Sequence, residues 1–137
     1  MRVLFDTNVL LDALLAREPF VADAAFLLEA VEAGRLEGFM SATTVTDVHY
    51  LTGRQTKSAE IAITAVTRLL KLMEICPVDR GVLEQAIVLK LADFEDAVQV
   101  ACAISLRLEA IITRDIPEFT GSPIPVLSSG ELKALLV

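Results

Sequence analysis

Short apolar runs alternate with longer helical patterns along this chain, and that alternation constrains the fold more than any other feature. Val3 to Phe5, Glu37 to Ser41, Glu74 to Val78, Ala110 to Ile112 and Ile124 to Leu127 read as strands. Pro77 places the third of these at an edge or a strand end. The segments between them read as helices. Val9 to Ala16 is short. Pro19 suits the first turn of a helix reaching about Ala33, with Gly34 as its cap. Thr43 or Thr44 caps a helix through about Thr52, and Gly53 closes it. Ser58 to Met73 is amphipathic, with Thr64, Thr67, Arg68 and Lys71 on its solvated face. Asp79 caps a helix to Leu91, and Asp93 opens one to about Leu108. That last helix is apolar almost all round, which predicts a central, buried position. Ser128 or Ser129 caps a final short helix. Strands alternating with helices imply a parallel sheet covered on both faces.

At 137 residues the chain suits a single domain, 1–137, with an ordinary hydrophobic core. Its 54% apolar and 23% charged residues exclude a disordered chain. Cys76 and Cys102 both lie in apolar runs and read as reduced core thiols rather than a disulfide scaffold. No stretch offers the roughly 20 apolar residues of a membrane helix. Asp6 interrupts any signal-peptide core, so the expected location is the cytoplasm, with no membrane partner. Twelve Lys and Arg against nineteen Asp and Glu leave a formal charge of -7. That balance argues against avid electrostatic binding of nucleic acid, which needs many cations against phosphates. Contact with phosphates through a bound metal stays open.

Ligands of open parallel sheets sit beyond the carboxyl ends of the strands. Asp6 closes the first strand there, and Asp115 follows the Ala110–Ile112 strand by three residues. Asp47 is placed in the first turn of the helix after the second strand. Asp93 and Asp96 fall in the first turn of the buried helix. These five acids converge on one edge if the strands run parallel. Crowded carboxylates repel, and a divalent cation with oxygen ligands, Mg²⁺ or Mn²⁺, resolves the conflict. Each acid also has an ordinary structural role open to it. Thr44 with Asp47 and Asp93 with Asp96 have capping-box spacing, an acid in a first turn suits the helix dipole, and Asp6 can cap the helix after it.

Four segments together resemble the PIN-domain family of metal-dependent ribonucleases, whose bacterial members include VapC-type toxins of toxin–antitoxin pairs. They are Leu4-Phe5-Asp6-Thr7-Asn8 with the apolar run after it, Ser41 to Val48, Asp96 to Ala103, and Ile112-Thr113-Arg114-Asp115 through Phe119. The resemblance spans nearly the whole chain. It implies a three-layer α/β/α PIN-like fold with a central parallel sheet of four to five strands. By resemblance, Asp6, Asp47, Asp96 and Asp115 form a catalytic, metal-binding acidic site. Asn8 and Thr113 support it, and Asp93 is an extra candidate better read as a helix cap. The family usually has Glu where this chain has Asp47, which is a methylene shorter and reaches a metal through water. The resemblance further implies an RNA substrate, a homodimer, and an antitoxin segment that occupies the acidic groove.

The expected activity is therefore metal-dependent endoribonuclease, as the toxin of a toxin–antitoxin pair. The competing readings are a non-catalytic PIN-like binding or dimerisation module, and an aspartyl-nucleophile phosphatase of the haloacid dehalogenase kind. Asn8 speaks against the phosphatase, which has a second acid there. His49 lies two after Asp47 and so faces elsewhere on a helix. Asp12 reads as a solvated helix residue. Arg114 suits either a phosphate or a carboxylate partner, and Arg17, Arg54 and Lys57 are candidates for a groove rim.

Overall fold

The computed structural model describes residues 1–137. Its elements run β1 (Arg2–Phe5), α1 (Thr7–Leu14), α2 (Val21–Glu32), β2 (Glu37–Ser41), α3 (Ala42–Thr56), α4 (Ala59–Leu72), β3 (Glu74–Cys76), α5 (Arg80–Leu89), α6 (Phe94–Ser105), β4 (Ala110–Ile112), a 3₁₀ turn (Ile116–Phe119), β5 (Val126–Leu127) and α7 (Ser129–Leu136). The five strands form one sheet in the order β3-β2-β1-β4-β5. Every neighbouring pair is parallel.

Strand burial explains the two helical layers. Val3 and Phe5 belong to one core, with residues of α1, α2 and α4 and with Leu132 of α7. Leu4 between them belongs to a second core, with residues of α5 and α6. Ala110 and Ile112 divide from Ile111 in the same way. Successive side chains of a strand point to opposite faces, so an apolar run of this kind demands cover on both. The chain supplies it by turning back: the order moves outward from β1 to β3, then returns across the sheet to β4. The change of direction lies between β1 and β4, where the main chain of Asp6 donates to Ile112 O at 2.9 Å. No helix is long and apolar enough to cross a membrane.

Local signals account for the boundaries. Ser58, Asp79, Asp93 and Ser128 cap α4, α5, α6 and α7 through their side chains, and Ser128 forms a full capping box with Glu131. Gly34 follows the C-cap of α2 with φ of 78°, the left-handed conformation such a stop requires. Three expectations shift. Pro19 lies in the turn before α2, because the Arg17 carbonyl accepts from both Phe20 and Val21 and starts the helix later. Ser41, rather than either threonine, caps α3, and its hydroxyl takes the Thr44 amide at 3.2 Å. Asp47 therefore falls in the second turn. Gly53 does not end α3, which continues to Thr56; it sits where a side chain would lie 3.6 Å from Ala62 of α4.

Gly38 in β2 is fixed by packing. A Cβ there would stand 2.6 Å from Met73 Sδ, 3.0 Å from Val31 Cγ2 and 3.1 Å from Phe5 Cε2. Overfilling a packed core costs about 1–3 kcal/mol. Gly38→Ala should lower stability by that amount in urea unfolding, whereas Gly121→Ala, with no atom near its added carbon, should not act through packing.

Candidate functional site

The carboxyl end of β1 with α1, the second and third turns of α3, the start of α6 and the loop after β4 enclose an open cleft of about 420 Å³. Asp6, Asp47, Asp96 and Asp115 all line it, as do Asn8 and Asp93. Thr113 is wholly buried beneath. His49 is exposed on α3 and takes no part, while Arg17 reaches the cleft and Arg54 and Lys57 do not.

Asp6 organises the floor. It is 7% exposed, and its side chain caps α1 by accepting from Thr7 N at 2.7 Å through Oδ1. Gln99 Nε2 donates to the same oxygen at 2.7 Å, and Thr113 Oγ1 donates to Oδ2 at 2.7 Å. Charge-assisted bonds of this length are the strong ones. Thr113 Oγ1 accepts in turn from Asp115 N at 3.0 Å, and Asn8 Nδ2 donates to Asp115 Oδ2 at 2.8 Å. Asp6, Thr113, Asp115 and Asn8 are thereby one network across the β1–β4 junction. The structural and cleft-facing roles coincide in Asp6. They coincide also in Asp93, whose Oδ1 caps α6 through Asp96 N at 3.0 Å while the residue lines the cleft. Asp47 plays no capping role, since Ser41 has taken it.

Glu95, Gln99 and Glu118 line the cleft without having stood out in the sequence. Gln99 was detectable as the polar interruption of an otherwise apolar helix. Glu95 and Glu118 were not, because neither stands out from ordinary surface acids until the helix and the 3₁₀ turn are positioned. Asp12 is a correction. It is 1% exposed rather than solvated, and Arg114 Nε sits 2.8 Å from its Oδ2 with the guanidinium 4.1 Å from the centre of the Phe20 ring. Neither Asp12 oxygen has an aligned hydrogen-bond donor, so the contact is an ion pair. Burial pushes the Asp12 carboxyl up, and Arg114 partly offsets this. Arg114 thus takes the carboxylate partner, and ties the loop bearing Asp115 to α1.

Seven carboxyl groups face one guanidinium, that of Arg17, across the cleft. Asp96 is pushed up to about 7, first by desolvation and then by Asp93, Asp6, Glu118 and Asp115. Glu95 is also pushed up to about 7, first by its side-chain hydrogen bond to Asp47, then by burial and nearby acids. Every potential ligand is a hard oxygen, a set suited to Mg²⁺ or Mn²⁺. No three Asp, Glu, His or Cys side chains stand together in a group that could by itself hold a metal ion. Magnesium does not need one, because it is held by one or two carboxylates and keeps several waters. The unpartnered, buried Gln99 Oε1 adds a further oxygen beside Asp6. The residues fit such an ion.

A PIN-domain profile matches residues 2–117. The chain belongs to the PIN-domain family. Solved PIN-domain structures share its fold. A chain of the toxin–antitoxin complex from Klebsiella pneumoniae is 25% identical, with a TM-score of 0.69 over 93% of this chain and 97% of that one. FitAcB from Neisseria gonorrhoeae aligns at 22% identity and a TM-score of 0.71, over 93% of this chain and 98% of that one. VapC20 from Mycobacterium tuberculosis, a toxin that cleaves the sarcin–ricin loop, aligns at 16% identity and a TM-score of 0.65, over 80% and 86%. No curated protein matches by sequence.

The crowded acids of this PIN domain predict an unusual pH dependence. Asp96 and Glu95 bind protons more tightly folded than unfolded, so the stability they contribute is complete below about pH 4. It is lost as pH rises through about 7. Metal-free protein should therefore melt at a lower temperature at about pH 8 than at about pH 5. Asp96→Asn should flatten that decline. Thermal unfolding in EDTA checks both; a wild-type melting temperature that rises over this range would contradict the charge assignment.

Proposed function

We propose that the protein is a metal-dependent endoribonuclease that hydrolyses RNA phosphodiester bonds with Mg²⁺ or Mn²⁺, and that it acts as the toxin of a toxin–antitoxin pair. The observation that carries the proposal is the meeting of Asp6, Asp47, Asp96 and Asp115, from four separate stretches of chain, in one cleft. A bound divalent ion would supply positive charge to a phosphoryl oxygen and lower the pKa of water.

The chain's own residues then have distinct tasks. Asp6 and Asp96 are the principal ligands, the first oriented by Thr113, Gln99 and the Thr7 amide. Asp115 joins them from the loop after β4 and is steered by Asn8. Asp47 sits with Glu95 in the cleft, and the longer side chain of Glu95 supplies reach that an aspartate lacks. Arg17 is the one cationic side chain in the cleft able to meet a substrate phosphate. An acidic cleft without metal repels RNA, so substrate binding itself should require the ion.

The toxin role is supported by the solved relatives from Klebsiella pneumoniae, a toxin–antitoxin complex, and Mycobacterium tuberculosis, a toxin that cleaves the sarcin–ricin loop. A protein partner that covers this cleft would present basic residues to it.

RNA cleavage by wild type should require Mg²⁺ or Mn²⁺ and stop on addition of EDTA. Outer-shell partners of a metal are worth 10–100-fold, so Asp6→Asn and Asp96→Asn should each lose at least about a hundredfold. Cleavage unchanged in both variants would remove the mechanism. Failure of wild type to bind Mn²⁺ in calorimetry would favour the non-catalytic module instead.

A further inference from the structure

Gln99 is the polar member of the buried run of α6 from Ala97 to Ala103, and it is 2% exposed. It lies one helical turn after Asp96, so both project toward the cleft and both line it. Its Nε2 donates to Asp6 Oδ1 at 2.7 Å, and its Oε1 has no partner. A carboxylate only accepts, so the amide nitrogen must face Asp6 and leave the oxygen unpaired. An unpaired buried amide oxygen is unfavourable. Packing alone therefore does not account for a glutamine here; an apolar side chain of equal length would suit the helix better.

What the residue does to Asp6 does account for it. A carboxylate has about four lone-pair sites. Thr7 N and Gln99 Nε2, both at 2.7 Å, fill the two on Oδ1. Thr113 Oγ1 takes one on Oδ2 and leaves one open. We propose that Gln99 sets the cation preference of the site by closing Oδ1, so that Asp6 offers a cation a single oxygen. Magnesium demands a small octahedral shell with retained water, while calcium accepts carboxylates through both oxygens in larger, more flexible shells. Manganese shares the octahedral oxygen shell. Without Gln99, Oδ1 opens, Asp6 loses an orienting bond, and the advantage passes toward calcium. This inference rests on the metal-dependent reading of the cleft.

The test is calorimetric titration of MnCl₂ and CaCl₂ into metal-stripped, full-length wild type, Gln99→Met, Gln99→Asn and Asp6→Asn. Melting in EDTA identifies which variants are folded. Gln99→Met keeps the length of the side chain without its donor. Gln99→Asn keeps an amide a methylene too short to reach. Wild type should bind Mn²⁺ more tightly than Ca²⁺. Both glutamine variants should weaken Mn²⁺ by about tenfold or more and hold Ca²⁺ at least as well, so that the ratio of affinities falls. Glutamine variants that keep the wild-type ratio, whether both affinities stand or drop together, overturn the proposal provided Asp6→Asn still loses Mn²⁺. Wild-type Mn²⁺ affinity in Asp6→Asn overturns the metal site itself and this inference with it.

Discussion

Three donors from three distant parts of the chain hold one carboxylate, that of Asp6, at the end of the central strand. The site depends on that arrangement. Thr7 comes from α1, Gln99 from α6 on the other face of the sheet, and Thr113 from the loop after β4. The two helical layers and the β1–β4 junction are thus fastened at a single point. The main chain reinforces it, because Asp6 N donates to Ile112 O where the strand order changes direction. The fold's junction and the cleft's floor are the same few atoms.

The charge pattern follows from this geometry. Parallel strands deliver every strand end to one edge, and helix starts arrive beside them. Acids that serve as caps or first-turn residues are thereby pressed together. Asp93 and Asp6 each do both jobs. Asp96 is pushed up to about 7 by desolvation first and then by the crowding of Asp93, Asp6, Glu118 and Asp115. The ion pair nearby, of buried Asp12 with Arg114, does not relieve it, since Arg114 is committed to Asp12 and to the Phe20 ring. What remains is an acidic cleft whose negative charge nothing nearby offsets except Arg17.

Much of the fold was legible in the sequence because its central strands, β1 and β4, are buried on both faces and read as short apolar runs. β2 and β4 fall on the expected residues, and Asp79 and Asp93 cap the helices expected of them. Asp6 and Asp115 were legible for the same reason: each lies a short step from a readable strand end. Tertiary choices were not legible. Ser41, Thr43 and Thr44 compete to cap α3, and only the strand's exit direction decides for Ser41, which carries Asp47 into the second turn. Gly53 resembles a helix stop, yet it lies inside α3, packed against Ala62 of α4. Asp12 resembles a solvated acid until the β4 loop brings Arg114 down upon it. Glu95 gains meaning only when α6 is set against α3, where its carboxyl meets that of Asp47.

The most direct test of the account is crystallographic. Crystals soaked in MnCl₂ and measured for anomalous scattering locate the ion without reference to activity. The account predicts a peak within the cleft, against Asp6 and Asp96. Saturating manganese that leaves this cleft without a peak, or binds only elsewhere on the protein, would contradict it.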